Sequence, residues 1–136
     1  MCSSDLTRSL TYVYNDGDKP EPIVCMYRQF DGYPEGHGAE LAEFLVPFTI
    51  INGIGSNQNE LGKFANGMGC LAAQLVSHFK DSVGGIYMHV VDLNQDAWQE
   101  YEYHVYADKV EIKDPSEVIF SGTYAELKDF CCELAT

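Results

Sequence analysis

Hydrophobic positions recur at two spacings along this chain, and each spacing predicts a kind of element. β-branched and aromatic residues dominate Leu10 to Tyr14 and Ile23 to Arg28, and the turn-forming run 15–20 separates them. That pattern is typical of two strands joined by a loop. Both faces of the second strand are largely apolar, so we expect it to be a central strand.

Steps of three and four residues between apolar positions predict helices. A short helix over 41–45 should end before Pro47, because proline disfavours helical backbone in the residue that precedes it. The longest amphipathic helix is expected over 61–79, with Asn57 and Glu60 as its candidate cap. The segment 49–59 has the residue types of a loop, either a buried connector or a surface lid.

The last part of the chain combines short strands with a final helix. Thr123 and Glu126 have the spacing of a capping box ahead of an apolar stripe. The alternation of Val110 and Ile112 with charged residues predicts an edge strand. The expected strands are Ile86 to Val91, Glu100 to Tyr106, Val110 to Lys113 and Val118 to Phe120.

The order of these elements predicts the fold class. Strands cluster instead of alternating with helices, which favours α+β over a doubly wound parallel sheet. A length of 136 residues suits one domain. We therefore expect a single α+β domain over residues 1–136, with a mostly antiparallel sheet of about five or six strands packed against two or three helices.

The charge of the chain restricts its partners. Twenty-one acidic against eight basic side chains give a net charge of −13. This charge opposes the release of counterions that drives binding to nucleic acid, so no direct nucleic-acid contact is expected. No run approaches the roughly 20 apolar residues that span a bilayer, and residues 1–8 lack the apolar stretch of a signal peptide. We expect a cytoplasmic protein without a membrane segment.

Cysteine and histidine spacing gives little support to a metal site or a cofactor. The five cysteines include no C-x-x-C pair, which argues against a disulfide framework and a zinc ribbon. No H-E-x-x-H, phosphate-loop, dinucleotide or G-x-S-x-G pattern occurs. We therefore expect no metal and no cofactor, and no catalytic residue is assigned. Scattered candidate ligands remain at His37, His78, His89, His104, Asp31, Glu35 and Glu102.

The densest group of candidate site residues follows the second predicted strand. Three glycines and a proline in 30–38 permit tight turns and forbid a regular element. Arg28 suits a clamp on a carboxylate or phosphate, which would make a small anionic ligand possible. The alternative is an internal turn in which Arg28 pairs with a carboxylate and His37 faces water. The candidate ligand-binding residues are Arg28, Gln29, Asp31, Tyr33 and His37.

Three segments together resemble a known group of sequences. They are YVYNDGD at 12–18, CMYRQFDGYPEGHG at 25–38 and NGMGCLAAQL at 66–75. The pattern resembles a family of short uncharacterised proteins from bacteriophages, environmental viral sequence and scattered bacteria. The resemblance implies a phage origin but no activity, and so it assigns no catalytic residue.

A protein-binding role is the third class of function that the residues allow. Trp98 and several tyrosines alternate with acids over 92–106, which suits an interface with a basic partner. The alternative is that Tyr101 and Tyr103 fill the core from one sheet face. We therefore expect a ligand- or protein-binding module, with a metal-assisted hydrolase using Asp31 and His37 as the competing hypothesis. The predicted edge strand also leaves a homo-oligomer open.

Overall fold

The first predicted strand, β1 (Ser9–Tyr14), is buried along its whole length. Strand β2 (Pro22–Arg28) pairs with it antiparallel, as the sequence predicts, and β6 (Tyr101–Val105) lies on its other side in parallel. Both neighbours satisfy the β1 backbone. The apolar residues of its two faces are buried in two separate clusters, with Val13 in one and Leu10, Tyr12 and Tyr14 in the other.

The computed structural model describes residues 7–51, 63–114 and 117–135. The other elements are α1 (Ala39–Leu45), β3 (Phe48–Ile51), β4 (Lys63–Asn66), α2 (Gly67–Phe79), β5 (Ile86–His89), β7 (Val110–Lys113), β8 (Val118–Gly122) and α3 (Tyr124–Ala135).

Six strands form one sheet in the order β5-β2-β1-β6-β7-β8. Every pair is antiparallel except β1 with β6, so the α+β class with a mostly antiparallel sheet is confirmed. The expectation that Val110 to Lys113 is an edge strand is wrong, because β7 pairs with β6 and with β8. Charged residues alternate there because they lie on the less covered sheet face. The outermost strands are β5 and β8.

The two faces of the sheet carry different cores. The first, which includes residues of all three helices, contains Val13, Met26, Tyr103 and Ile112. The opposite face carries a smaller cluster of Leu10, Tyr12, Tyr14 and Cys25, packed by residues that include Ala97. Tyr103 is fully buried in the first core, which agrees with the expectation that Tyr101 and Tyr103 share a side and pack inward.

Several element boundaries differ from the prediction, and β5 ends at His89 instead of Val91. Residues 63–66 form β4, parallel to β3, and the long helix begins only at Gly67. Gly67 has a φ of 82°, a left-handed conformation that changes the chain direction between strand and helix. Strand β3 replaces the first residues of the predicted loop over 49–59. The candidate cap at Asn57 and Glu60 lies outside the described residues.

The capping box of the C-terminal helix is confirmed. The backbone N–H of Thr123 donates to Glu126 Oε1 at 2.8 Å, and the N–H of Glu126 donates to Thr123 Oγ1 at 3.1 Å. These bonds satisfy backbone donors that a helix start leaves unpaired. The following helix buries Leu127 and Cys131 and exposes Cys132. Within the described ranges, no helix is long and apolar enough to cross a membrane.

Candidate functional site

The predicted ligand loop folds around a buried histidine. His37 lies in a π-helical turn, Pro34–Gly38, and its side chain is fully buried. The expectation that residues 30–38 contain no regular element is therefore wrong. The Nε2 of His37 lies 2.8 Å from Thr11 Oγ1, and its Nδ1 lies 3.0 Å from NH1 of Arg28. The expectation that a structural His37 would face water is therefore wrong, because strand β1 and the loop enclose it.

Arg28 determines the protonation of this histidine. A guanidinium only donates hydrogen bonds, so His37 Nδ1 must accept, and Nε2 carries the proton that goes to Thr11. Burial, and then the charge of Arg28, hold the pKa of His37 well below its usual range. His37 is therefore a neutral imidazole with both nitrogens in use, and a metal could bind it only by displacing a partner.

The rest of the loop is held by close backbone contacts. The carbonyl of Asp31, a residue at φ 58°, accepts the backbone N–H of His37 at 2.9 Å. A Cβ on Gly36 would lie 2.6 Å from that same oxygen, and one on Gly32 would lie 2.7 Å from the Thr7 carbonyl. The glycines are thus needed where the backbone passes close to itself. The loop has the geometry of a tightly packed internal turn.

One side of Arg28 remains accessible. Its NH1 forms an ion pair with Glu40 at 2.8 Å, and its Nε donates to the Phe30 carbonyl at 2.6 Å. The side chain is 13% exposed and borders an open pocket of about 330 Å³ that His78 and Asp81 also line. Glu40 already neutralises the guanidinium, so this pocket offers an anion little uncompensated positive charge.

Gln29 and Tyr33 complete the predicted set. Gln29 donates its backbone N–H to the Gly85 carbonyl at 2.8 Å, which fixes the loop to the start of β5. The ring of Tyr33 lies against Gly36, where an added Cβ would meet it at 3.1 Å. The structure thus brings Arg28 and His37 together and leaves Gln29 and Tyr33 in positions that hold the backbone. A ligand role for the five residues stays a prediction.

The candidate metal ligands do not converge. Among the described residues, no group of three His, Cys, Asp or Glu side chains could hold a metal ion. His89 and His104, which would be neighbours only if their strands paired, belong to β5 and β6, and β2 and β1 lie between those strands. The ring of His78 packs against Phe44, with ring centroids 4.8 Å apart. The hydrolase hypothesis therefore lacks a geometric centre in the described part.

A second polar network lies on the sheet face opposite the helices. His104 Nε2 lies 3.1 Å from Glu102 Oε1, and its Nδ1 lies 2.7 Å from the Tyr14 hydroxyl. The hydrogen bond from His104 lowers the pKa of Glu102, and burial raises the pKa of Tyr14. A carboxylate, an imidazole and a phenol in this order could relay a proton. However, Tyr14 is only 5% exposed and His104 2%, so this network is buried and does not form an open catalytic site.

Exposed apolar side chains concentrate on the outermost strand β5 and the loop after it. We call this set of side chains, which lie on both faces of β5 and along the loop after it, the β5 patch. Its members, with their exposed fractions, are Tyr87 (45%), Met88 (52%), Val90 (70%), Val91 (44%), Leu93 (45%) and Trp98 (77%). A sequence pattern alone does not reveal these positions, because Ile86 to Val91 has the composition of a buried strand. A sheet edge that exposes apolar side chains is a usual feature of a binding surface.

The loop of the β5 patch is held firmly against the sheet. Gln95 Nε2 donates to the carbonyl of Val90 at 2.7 Å and to that of Asp92 at 3.1 Å, while its Oε1 accepts from His89 Nδ1 at 3.2 Å. The Tyr12 hydroxyl, from the buried strand β1, donates to the Asp92 carbonyl at 2.8 Å. Gln95 and Tyr12 therefore fix the conformation of a segment whose apolar side chains face outward.

Acidic residues flank the β5 patch along the sequence, while the ammonium of Lys80 lies 5.2 Å from the centre of the Tyr87 ring. Between positions 81 and 102 the sequence has no lysine and no arginine, and its acids are Asp81, Asp92, Asp96, Glu100 and Glu102. Four of these five acids are exposed, and Glu102 is half-buried. In the described part of the chain, the ion pairs formed by lysine and arginine are Arg28 with Glu40 and Lys109 with Glu111. None of these five acids forms one of those ion pairs, although the hydrogen bond from His104 and, less strongly, the charge of Lys113 lower the pKa of Glu102.

Comparison with known proteins adds no assignment. No family model, no curated protein and no solved structure matches the chain. The resemblance of residues 12–38 and 66–75 to short phage proteins therefore stays a prediction.

Proposed function

We propose that this protein is a binding module that recruits a basic protein partner through the β5 patch. The observation that carries the proposal is the exposure of apolar side chains along the outermost strand and its loop, including Val90 at 70% and Trp98 at 77%. Aromatic and methionine side chains are enriched in the centres of protein interfaces. The predicted loop site is less suitable, because internal bonds already occupy Arg28 and His37.

The charge around the β5 patch selects the kind of partner. Asp81 and Asp92 precede and follow β5, and Asp96 lies two residues before Trp98. Complementary charge accelerates association and disfavours partners of the same sign. A second copy of this chain would bring two net charges of −13 together, so self-association is electrostatically disfavoured. A segment rich in lysine or arginine is the partner that this surface fits.

The firm attachment of the loop favours binding. Ordering a flexible segment on association costs free energy, and a surface that is already folded avoids that cost. Here Gln95 and Tyr12 hold the carbonyls of Val90 and Asp92. We therefore expect a binding surface that changes little when a partner arrives.

Trp98 provides a direct test, since it is the single tryptophan of the chain and is largely exposed. The purified protein is titrated with a peptide of about eight residues that alternates lysine and valine, and Trp98 fluorescence is recorded. We expect saturable binding that weakens as salt is added. The control is the same peptide with glutamate in place of lysine. Absence of binding, or equal binding of both peptides, would contradict the proposal.

Two matched variants locate the binding surface. Val90 belongs to the β5 patch, whereas Val118 is an exposed valine, 49% accessible, on the opposite outer strand β8. We expect Val90→Asn to weaken peptide binding by about threefold to tenfold through lost apolar contact, and Val118→Asn to leave it unchanged. Equal effects of the two substitutions would place the binding surface elsewhere. Urea unfolding of each variant checks that both remain folded.

A further inference from the structure

We infer that the partner binds as an additional strand along β5, hydrogen bonded to the backbone of Met88. The inference rests on the proposed function and adds the mode of binding and the shape of the partner, an extended basic segment. Strand β5 is the outermost strand of the sheet, so one of its two edges has no neighbouring strand among the described residues. Such an edge is a template for a further strand.

The hydrogen bonds of neighbouring residues identify which backbone groups face outward. In an antiparallel strand the N–H and C=O of one residue point to the same side, and the side alternates along the chain. The Gly85 carbonyl accepts the N–H of Gln29, so it faces the end of β2. By alternation Ile86 and Met88 direct their backbone groups away from β2. The bond from Lys80 Nζ to the Ile86 carbonyl, at 2.8 Å, agrees with this direction.

Side chains of the protein itself occupy both ends of the outward edge. Lys80 donates to the carbonyl of Ile86, and Gln95 donates to the carbonyl of Val90 at 2.7 Å. Between them lie the N–H and C=O of Met88, a residue that is 52% exposed. Met88 therefore offers one backbone donor and one backbone acceptor on the outward edge. An added antiparallel strand forms hydrogen bonds with both groups of every second residue of its neighbour.

The side chains beside this edge suit an extended basic segment. Tyr87 and His89 lie on one face of β5, as their pairing with Tyr27 and Cys25 shows, and Met88 lies on the other. An added strand would place alternate side chains next to these two faces. Along the sequence, Asp81 stands before β5 and Asp92 stands after it. An extended segment that alternates basic and apolar residues would complement the acidic charge and the exposed apolar side chains around this edge.

Lys80 covers one end of the backbone edge to which the partner strand would bind. Its ammonium lies 5.2 Å from the centre of the Tyr87 ring while it covers the Ile86 carbonyl. A lysine at a sheet edge hinders unwanted pairing with other chains. A partner strand that extends past Met88 must displace this ammonium to reach Ile86. Lys80 therefore weakens binding of short or poorly matched strands and limits pairing between copies.

Backbone methylation of the peptide tests strand addition separately from binding itself. Two forms of the alternating lysine–valine peptide are made, each N-methylated at every second residue, one at the lysines and the other at the valines. Since one set of amides would face β5 and the other would face away, we expect one form to bind about tenfold more weakly and the other to bind as the parent peptide does. Equal effects of the two methylation patterns would overturn strand addition, although binding of the parent peptide would still support the proposed function.

Two further measurements connect the result to named residues. Hydrogen exchange of the Met88 amide should slow when the peptide binds, and unchanged exchange at Met88 would contradict the inference. Lys80→Met should tighten binding about threefold or more by freeing the Ile86 carbonyl. Lys128→Met removes the same charge from the exposed side of α3 and is the control for electrostatics. Equal tightening by both variants would mean that Lys80 acts only through its charge. If the parent peptide fails to bind at all, the proposed function itself fails.

Discussion

Arg28 donates a hydrogen bond to Nδ1 of His37 at 3.0 Å, so an arginine at the end of β2 determines the tautomer of a fully buried histidine. The opposite ring nitrogen donates to Thr11 on β1. Three separate parts of the chain therefore meet at one imidazole ring.

Replacement of His37 should destabilise the protein strongly. His37→Ala would leave a cavity between β1 and the π-helical turn and would remove a hydrogen-bond partner from Thr11 and Arg28. We expect a loss of about 2–4 kcal/mol in the free energy of unfolding, measured with urea. Glu35→Ala, an exposed change in the same turn, should stay within about 0.5 kcal/mol. A folded His37→Ala protein of unchanged stability would show that the loop does not depend on this ring.

The same histidine should make folding sensitive to mild acid. Burial keeps His37 neutral in the folded protein, whereas the unfolded chain binds a proton below about pH 6.5. The unfolded state then holds more protons, so stability falls as pH decreases from 6.5 towards the depressed folded pKa. The largest slope from one such group is about 1.4 kcal/mol per pH unit.

This pH dependence can be separated from that of other groups. Glu102 has a folded pKa below its usual 4.5, so its stabilising contribution is present above pH 4.5 and is lost only in stronger acid. The free energy of unfolding, measured with urea between about pH 7 and pH 5, therefore changes with the protonation of histidines and not with that of Glu102. His37→Gln should have a shallower slope than the parent protein over this interval. Identical slopes would contradict a neutral buried His37.

Loss of the Tyr14 hydroxyl should disturb the second polar network. Tyr14→Phe removes the partner of His104 Nδ1, and both residues are buried. An unsatisfied buried acceptor costs about 1–3 kcal/mol, so the free energy of unfolding should fall by that amount in a urea titration. Tyr87→Phe, at a ring that is 45% exposed, is the matched control and should have little effect. If Tyr14→Phe is as stable as the parent, His104 must pair elsewhere.

The described cysteines should differ sharply in reactivity. Burial raises the pKa of Cys25 and of Cys131 to about 11, whereas Cys132 is exposed. Because the thiolate is the reactive form, Cys132 should be modified by a thiol reagent at neutral pH before Cys25 and Cys131. Mass spectrometry of digested protein identifies the modified sites. Cys132→Ser should remove that early modification, and rapid modification of Cys25 in the native protein would contradict its burial in the cluster with Tyr12.

Local chemistry determined most of the secondary structure. The alternation in 10–14 and 23–28, and the pair Thr123 and Glu126, depend on neighbours in the sequence, and the structure confirms them. The start of the long helix was misplaced because its apolar spacing continues upstream of Gly67, where a left-handed backbone interrupts it. Apolar spacing indicates which side chains are buried, and a strand such as β4 and a helical turn can both bury Ala65.

The candidate sites depended on contacts between distant parts of the chain. The sequence places Arg28 and His37 in one polar loop, but only their contacts with Thr11 and Glu40 turn them into a neutral, internally bonded unit. In the same way Ile86 to Val91 has the composition of a buried strand. Only the order of strands puts β5 at the edge and leaves Met88 and Val90 exposed. Strand order is decided by which faces pack together over long sequence separations, and residue composition carries no record of that pairing.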